Sequence, residues 1–412
     1  MRVVLVNKFL YPRGGAETYT MELGEALKAA GHEVQYFGMY DEQNVMLNDW
    51  GLYVRTMDFH AKSLSALTYP QRIIYSAEAK EKMADLISHF KPDIIHLNNF
   101  NYQLTPSIID AAKEAGIPVI MTAHDSQLVC PNHLLYNPNT DSICTKCVDT
   151  HDPRWCYRER CIHCSQAKSA IGTAEAMFYR AHDSYDWISA IICPSRFMKH
   201  MYDTDARFAH KTVYLQNFVR RIPYQACAQE DYVLYFGRIS PEKGVRNIVA
   251  AAKALPDIPV VCAGSGPDEA MLNDAPNISF VGFQHGEALH ALIRKARLVI
   301  LPSTCYENCP LSVIEAQMLG AAVLAPGYGG AAELIDSADQ IRNTSAEALT
   351  DAIKSAYYDD ARLANMRSKS LERACGYNDV GAYESSFERI AGHAIEERKT
   401  EDARACAAHV GA

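Results

Sequence analysis

Two α/β domains, each a parallel sheet covered by helices on both faces, are the fold class this sequence predicts. Three observations carry it. Short, β-branched apolar runs alternate with longer amphipathic stretches, the rhythm of strand–helix–strand units. That rhythm restarts in the second half of the chain with the same logic. The chain's 412 residues, 48% of them apolar, also exceed what one hydrophobic core usually organises.

The elements follow in order. Val3–Val6 reads as the first strand, Glu17–Ala30 as a helix closed by Gly31-His32, and Val34–Phe37 as the next strand. Ile94–His96 and Val119–Ala123 read as buried strands, each after a helical stretch and a proline-containing turn, and Ala190–Pro194 as the last of this half. Residues 125–165 break the rhythm as a polar, cysteine-bearing insert. In the second half, Tyr232–Phe236, Pro259–Ala263, Ile278–Val281, Leu298–Leu301 and Ala322–Ala325 read as strands. The junction is expected near Leu215–Pro223, at Gln216-Asn217. The expected organisation is therefore a first domain over 1–216, a second over 217–376, a terminal helix over 377–397 and a disordered, alanine-rich tail over 398–412.

Composition excludes several classes. A net charge of −9 argues against nucleic acid as a partner, because phosphate-backbone affinity comes from clustered Lys and Arg. No apolar run approaches the length of a membrane span. Met1-Arg-Val-Val-Leu-Val6 leads directly into a strand without a cleavage signal, so a cytoplasmic protein is expected. Thirteen cysteines in such a chain point to metal or core use, not a disulfide scaffold.

The chemistry concentrates in Ser303–Gln317. Leu298–Leu301 is a buried strand, Pro310 breaks the chain, and Ser312 to Gly320 carries helix formers ended by glycine. Glu307 thus lies in a loop at the carboxyl end of a strand, where open parallel sheets bind ligands. Glu315 lies early in the following helix. Two carboxylates suit a ligand rich in hydroxyls, and the helix N-terminus at Leu311-Ser312 suits an anion. Ser312 and Glu315 also fit a capping box, which would make Glu315 structural. Arg238 and Lys243 follow the first strand of the second half and can neutralise a diphosphate, the first by parallel hydrogen bonds and the second as a point charge. As isolated residues they would read as solvated surface cations. Gly14-Gly15 follow the first strand of the chain, and Gly237 and Gly264 end two strands of the second half. Each allows close approach of backbone to a ligand, or simply makes a turn. Glu17 is open between helix capping and substrate contact. His124 ends the strand Val119–Ala123, with His96 and Asn98 ending a neighbour. A histidine there is either a satisfied structural residue or a cleft contact.

The run Tyr306-Glu-Asn-Cys-Pro-Leu-Ser-Val-Ile-Glu-Ala316 resembles the signature of retaining glycosyltransferase family 4, of GT-B architecture. So do Met1–Asn7 with Gly14-Gly-Ala-Glu17, Tyr235–Gly244 and Ala263-Gly-Ser-Gly-Pro267, in the family's order over most of the chain. The resemblance implies two Rossmann-like domains with parallel sheets facing across a cleft. It implies a retaining hexosyl transfer from a nucleotide-sugar donor to a saccharide or lipid-linked acceptor, in surface polysaccharide or glycoconjugate synthesis. A lipid-linked acceptor would bring the protein to the inner face of the membrane as a peripheral contact. The second domain would hold the donor, with Glu307, Arg238, Lys243 and His124 catalytic. Gly14, Gly15, Gly237, Gly264, Leu311, Ser312 and Glu315 would bind donor. No catalytic cofactor is implied. Rival readings are another GT-B enzyme, such as an epimerase or phosphorylase, or a zinc-containing binding protein on a degenerate scaffold.

Six of the cysteines fall between Cys130 and Cys164. Cys144-x2-Cys147 and Cys161-x2-Cys164, 13 residues apart, have the spacing of a four-thiolate structural zinc site. Cys130 or Cys156 are alternatives for one of the four, and His151 and His163 further ones.

Overall fold

The computed structural model describes residues 1–56 and 69–410. Among them the chain forms two six-stranded, all-parallel sheets and one small hairpin. The first sheet comprises β1 (Arg2–Val6), β2 (Glu33–Phe37), β3 (Ile94–Leu97), β4 (Val119–Thr122), β7 (Ile188–Cys193) and β8 (Thr212–Tyr214), in the order β2-β1-β3-β4-β7-β8. The hairpin β5 (Tyr136–Asn137) and β6 (Ser142–Ile143) belongs to the insert. The second sheet comprises β9 (Glu230–Arg238), β10 (Val260–Ser265), β11 (Ile278–Phe280), β12 (Ala296–Ile300), β13 (Val323–Pro326) and β14 (Gln340–Ile341). Its order is β11-β10-β9-β12-β13-β14, the Rossmann arrangement.

Every strand read from the sequence is present, with ends shifted by no more than two residues. The edge strands β8 and β14 and the hairpin were not legible, because two or three residues carry no periodicity.

Burial follows from this layering. Val4, Val6, Ile95, Leu97, Val119 and Met121 pack on one face of the first sheet, and Val3, Leu5, Ile94, Ile120 and Ile192 on the other. Alternation within each strand sends neighbours to opposite faces, so both faces need apolar cover. Part of that cover returns from the chain's end: Tyr383, Phe387, Ala391 and Ala394 of the terminal helix complete the second face.

That helix corrects one expectation. It begins at Val380 and runs through Val410, so residues 398–410 are helical instead of a disordered tail. Residues 411–412 lie outside the described residues. Alanine, glutamate and arginine favour helix there. Local pairs add support: Lys399 lies 2.8 Å from Glu396 and Arg398 2.5 Å from Glu401.

Among the described residues, no helix is long and apolar enough to cross a membrane.

Candidate functional site

Strand order fixes where the site sits. Connections leave β1 and β3 in opposite directions along the first sheet, and β9 and β12 do the same in the second. A crevice opens at the carboxyl ends of such strand pairs. The loops after β1, β3 and β4 therefore form one wall, and those after β9 and β12 the other. The walls meet: a Cβ on Gly15 would stand 3.7 Å from Leu311 Cδ1.

On the second wall, Lys243 Nζ lies 2.6 Å from Glu307 Oε1, and Ser303 Oγ donates to the same oxygen. Burial works against the Lys243 charge, but the adjacent Glu307 carboxylate outweighs it and holds the ammonium above its usual pKa. Arg238 is exposed and, among the described residues, its guanidinium has no hydrogen bond or ion pair. That leaves it free for an anion.

The loop carrying Glu307 is clamped from behind. The N–H of Gly330 donates to the Glu307 carbonyl at 2.7 Å, and a Cβ on Gly330 would come within 1.5 Å of the Asn308 carbonyl. Only glycine fits that approach. Cys305 and Cys309 are buried, and burial pushes both thiols up to about 12. They are neutral packing groups.

The helix Leu311–Met318 starts directly after Pro310, and no side chain caps it. Pro310 holds the N-cap position, so Ser312 is the second helical residue and Glu315 the fifth, which excludes a capping box between them. The N–H groups of Leu311 and Ser312 are thus left to an anion, with the positive end of the helix dipole behind them. Burial, with Glu22 of the other wall adding repulsion, raises Glu315 to about 7. Glu22 is also raised, by its own burial.

Gly14 and Gly15 open the helix Gly15–Ala29 on the first wall. Glu17 does not cap that helix; its Oε1 accepts from Asn7 Nδ2 at 3.1 Å, and it is buried. His124 Nε2 pairs with Asn98 Oδ1 at 3.0 Å, and its ring packs edge-on against Tyr19 at 4.9 Å. Burial lowers its pKa to about 3, so the ring is neutral. With Nε2–H donating to Asn98, Nδ1 carries the free lone pair and can accept from a hydroxyl.

His96 is corrected. It is fully buried beneath the crevice, bonds Thr122 Oγ1 at 2.8 Å and packs against Phe387. Thr122 in turn meets Tyr19, which meets Tyr383 of the terminal helix at 2.5 Å. His96 therefore ties the floor of the site to the chain's end.

Gly237 and Gly264 end β9 and β10 side by side. A Cβ on Gly264 would lie 1.8 Å from the Gly237 carbonyl, so strand packing alone demands a small residue there.

Several participants had no sequence signal. Asn308 donates to the Ala123 carbonyl at 2.6 Å and accepts from Ser195 at 2.7 Å. Glu333 accepts from the N–H groups of Arg196 and Phe197, at 3.0 and 2.8 Å. Both residues belong to the second wall and latch it to the first. Lys8 sits below its usual pKa through burial, opposed by Asp125 and Glu17. The Asp-x-Asp pair Asp203-Thr204-Asp205 is committed elsewhere: Asp203 to Lys199, Asp205 to Arg207.

The insert's cysteines gather differently from the two close pairs of the sequence. Cys130, Cys144, Cys147, Cys156 and Cys161 line one small cavity in the insert. Cys164 is exposed and outside it, because His163 and Cys164 both take left-handed backbone and turn the chain away toward the next helix. His151 is also exposed and does not line the cavity.

Two family models match the chain. "Glycosyltransferase Family 4" covers residues 13–220 and "Glycosyl transferases group 1" covers residues 223–373. An uncharacterised glycosyltransferase of Methanocaldococcus jannaschii is 24% identical, over 81% of this chain and 83% of its own length. A lipopolysaccharide 1,2-N-acetylglucosaminetransferase of Salmonella typhimurium is 29% identical over 35% of this chain and 46% of its own. A crystal structure of an Anabaena protein in complex with UDP and glucose superposes with a TM-score of 0.68 at 16% identity, covering 95% of this chain and all of that one. The two parallel sheets and this likeness make the fold GT-B.

Proposed function

The chain belongs to glycosyltransferase family 4, and on that premise we propose that it moves a hexose from a nucleotide-sugar donor to a saccharide or lipid-linked acceptor, with retention. One observation carries the reading. Arg238, Lys243 and the uncapped N-terminus of Leu311–Met318 gather positive potential beside two carboxylates, Glu307 and Glu315, directly opposite the Gly14-Gly15 loop. A diphosphate flanked by a sugar and a ribose has that alternation of anion and hydroxyls.

In this reading the anomeric C–O bond to the diphosphate breaks, and Arg238 and Lys243 stabilise the charge that leaves. Positive charge develops at the anomeric carbon. The acceptor oxygen attacks on the same face, and its proton passes to the departing phosphate oxygen. Glu307, fixed by Lys243 and Ser303, orients the sugar, and Glu315 accepts from ribose hydroxyls. His124 accepts from a sugar hydroxyl through Nδ1. The protein's contribution is positioning and electrostatics. The Anabaena complex with UDP and glucose supports a nucleotide-sugar donor. The Salmonella lipopolysaccharide enzyme supports a surface-polysaccharide acceptor.

A thermal-shift panel of sugar nucleotides tests the donor, since ligand that binds only the folded state raises its stability. NMR of the product then reads the anomeric configuration. A donor that is consumed equally fast without acceptor, or a product of inverted configuration, would overturn the proposal.

A further inference from the structure

The insert is a small module with little apolar material. Its interior is Cys147, Cys156 and Cys161, with Trp155 and Ile162 packed against them. Modules this small are usually held by a metal or by disulfides. Every cysteine of the insert is free. The cavity they surround is small, about 10 Å³, at the lower limit for one water.

Five cysteines thus surround one enclosed space: Cys130, Cys144, Cys147, Cys156 and Cys161. Cys130 donates its thiol hydrogen to Asn132 Oδ1 at 3.1 Å, and a thiol gives up that hydrogen when it binds a metal. Lys146, between Cys144 and Cys147 in the chain, pairs with Glu159 at 2.5 Å.

We propose that Cys144 and Cys147, together with two of Cys130, Cys156 and Cys161, bind one zinc ion as a tetrathiolate. Four sulfurs at a fixed tetrahedral centre select zinc or an iron–sulfur cluster, and the small size of the space favours a single ion. Binding forms four Zn–S bonds and releases the protons of those thiols to solvent, with no redox step. Among the described residues no three of these sulfurs lie within 4.8 Å of one another, so binding requires them to move inward. Among the described residues, the trio of ligand atoms already within 4.8 Å of one another is His32, Glu384 and Glu388. Those groups are otherwise engaged, His32 with the N-terminal amine at 3.0 Å and with Glu388 at 2.6 Å.

The site has a consequence for the crevice. Cys130 is six residues beyond His124, and the hairpin's Asp141 accepts from Thr304 at 3.4 Å and lies 3.8 Å from Arg246, both in the second domain. The ion would fix a module that spans both walls.

The experiment counts metal in protein purified without chelator. One zinc per chain is expected, released by a mercurial thiol reagent and read with a colorimetric chelator. Cys144→Ser and Cys147→Ser should retain less than a tenth of it, while Cys164→Ser retains it in full. Should the first two variants not fold, the thiolate-to-cobalt absorption of cobalt-substituted wild type counts the bound sulfurs instead, with four expected. Several results would each overturn the proposal. They are absence of stoichiometric metal with the six thiols of residues 130–164 titratable in the native state, an iron–sulfur spectrum, a Cys156–Cys161 disulfide, or metal loss in Cys164→Ser.

Discussion

Lys243 Nζ stands 2.6 Å from Glu307 Oε1, a pairing that ties the loop after β9 to the loop after β12. The two side chains are largely buried, 28% and 11% exposed, so each depends on the other. Glu307→Gln should lower kcat/KM at least tenfold, because a hydrogen bond to a charged group contributes about 1.5–3 kcal/mol. Steady-state kinetics together with a melting curve check this. Unchanged turnover in a folded variant would remove Glu307 from the reaction.

Glu315 gives a pH signature. Its folded pKa is raised to about 7, above the 4.5 of the free side chain, so the folded state holds the extra proton between those values. Its contribution to stability is fully present below pH 4.5 and is lost as pH rises through 7. Donor binding runs the other way, since ribose hydroxyls need the carboxylate. Titration calorimetry should show donor affinity falling as pH drops through 7. Denaturant melts of Glu315→Gln without donor should show a flatter pH dependence above 4.5. Donor affinity of Glu315→Gln equal to wild type at pH 8 would contradict the ribose role.

His124 should contribute no titration near neutrality, because burial holds its pKa at about 3. His124→Ala is expected to cut kcat tenfold or more while leaving the pH–rate limbs between 5 and 9 where they are. A limb that vanishes with the imidazole would mean that His124 titrates as an acid or base.

Glu333 and Asn308 latch the walls. Glu333→Ala removes the acceptor of the Arg196 and Phe197 N–H groups and should cost about 1 kcal/mol, the size of a helix-cap loss. Chemical denaturation measures it. Asn308→Ala should lower kcat more than donor affinity, by loosening the contact with Ala123 and Ser195.

Transfer should need no divalent cation. Arg238, Lys243 and the Leu311–Met318 N-terminus supply the positive potential, and Asp203 and Asp205 are held by Lys199 and Arg207. Brief EDTA treatment should leave the initial rate intact. Activity lost to EDTA and restored by magnesium or manganese would contradict it.

Sequence alone determined the architecture, because the buried strands of a parallel sheet must be apolar on both faces and so announce themselves. It also placed Glu307, Arg238 and Lys243 at strand ends, since local punctuation by Pro310, Gly237 and Gly244 fixes where strands stop. It located a cysteine-rich module, but spacing could not choose the sulfurs: Cys164 follows Cys161 closely in sequence, yet two left-handed residues send it to solvent. His96 and His124 looked alike as strand-end histidines, and packing alone separated them. The β3 register puts His96 under Phe387, and Asn98 holds His124 at the crevice. The hydrogen bonds Asn308–Ala123 and Glu333–Arg196 join residues more than a hundred positions apart. No local pattern encodes such pairs; they exist only once two separately folded sheets are brought face to face.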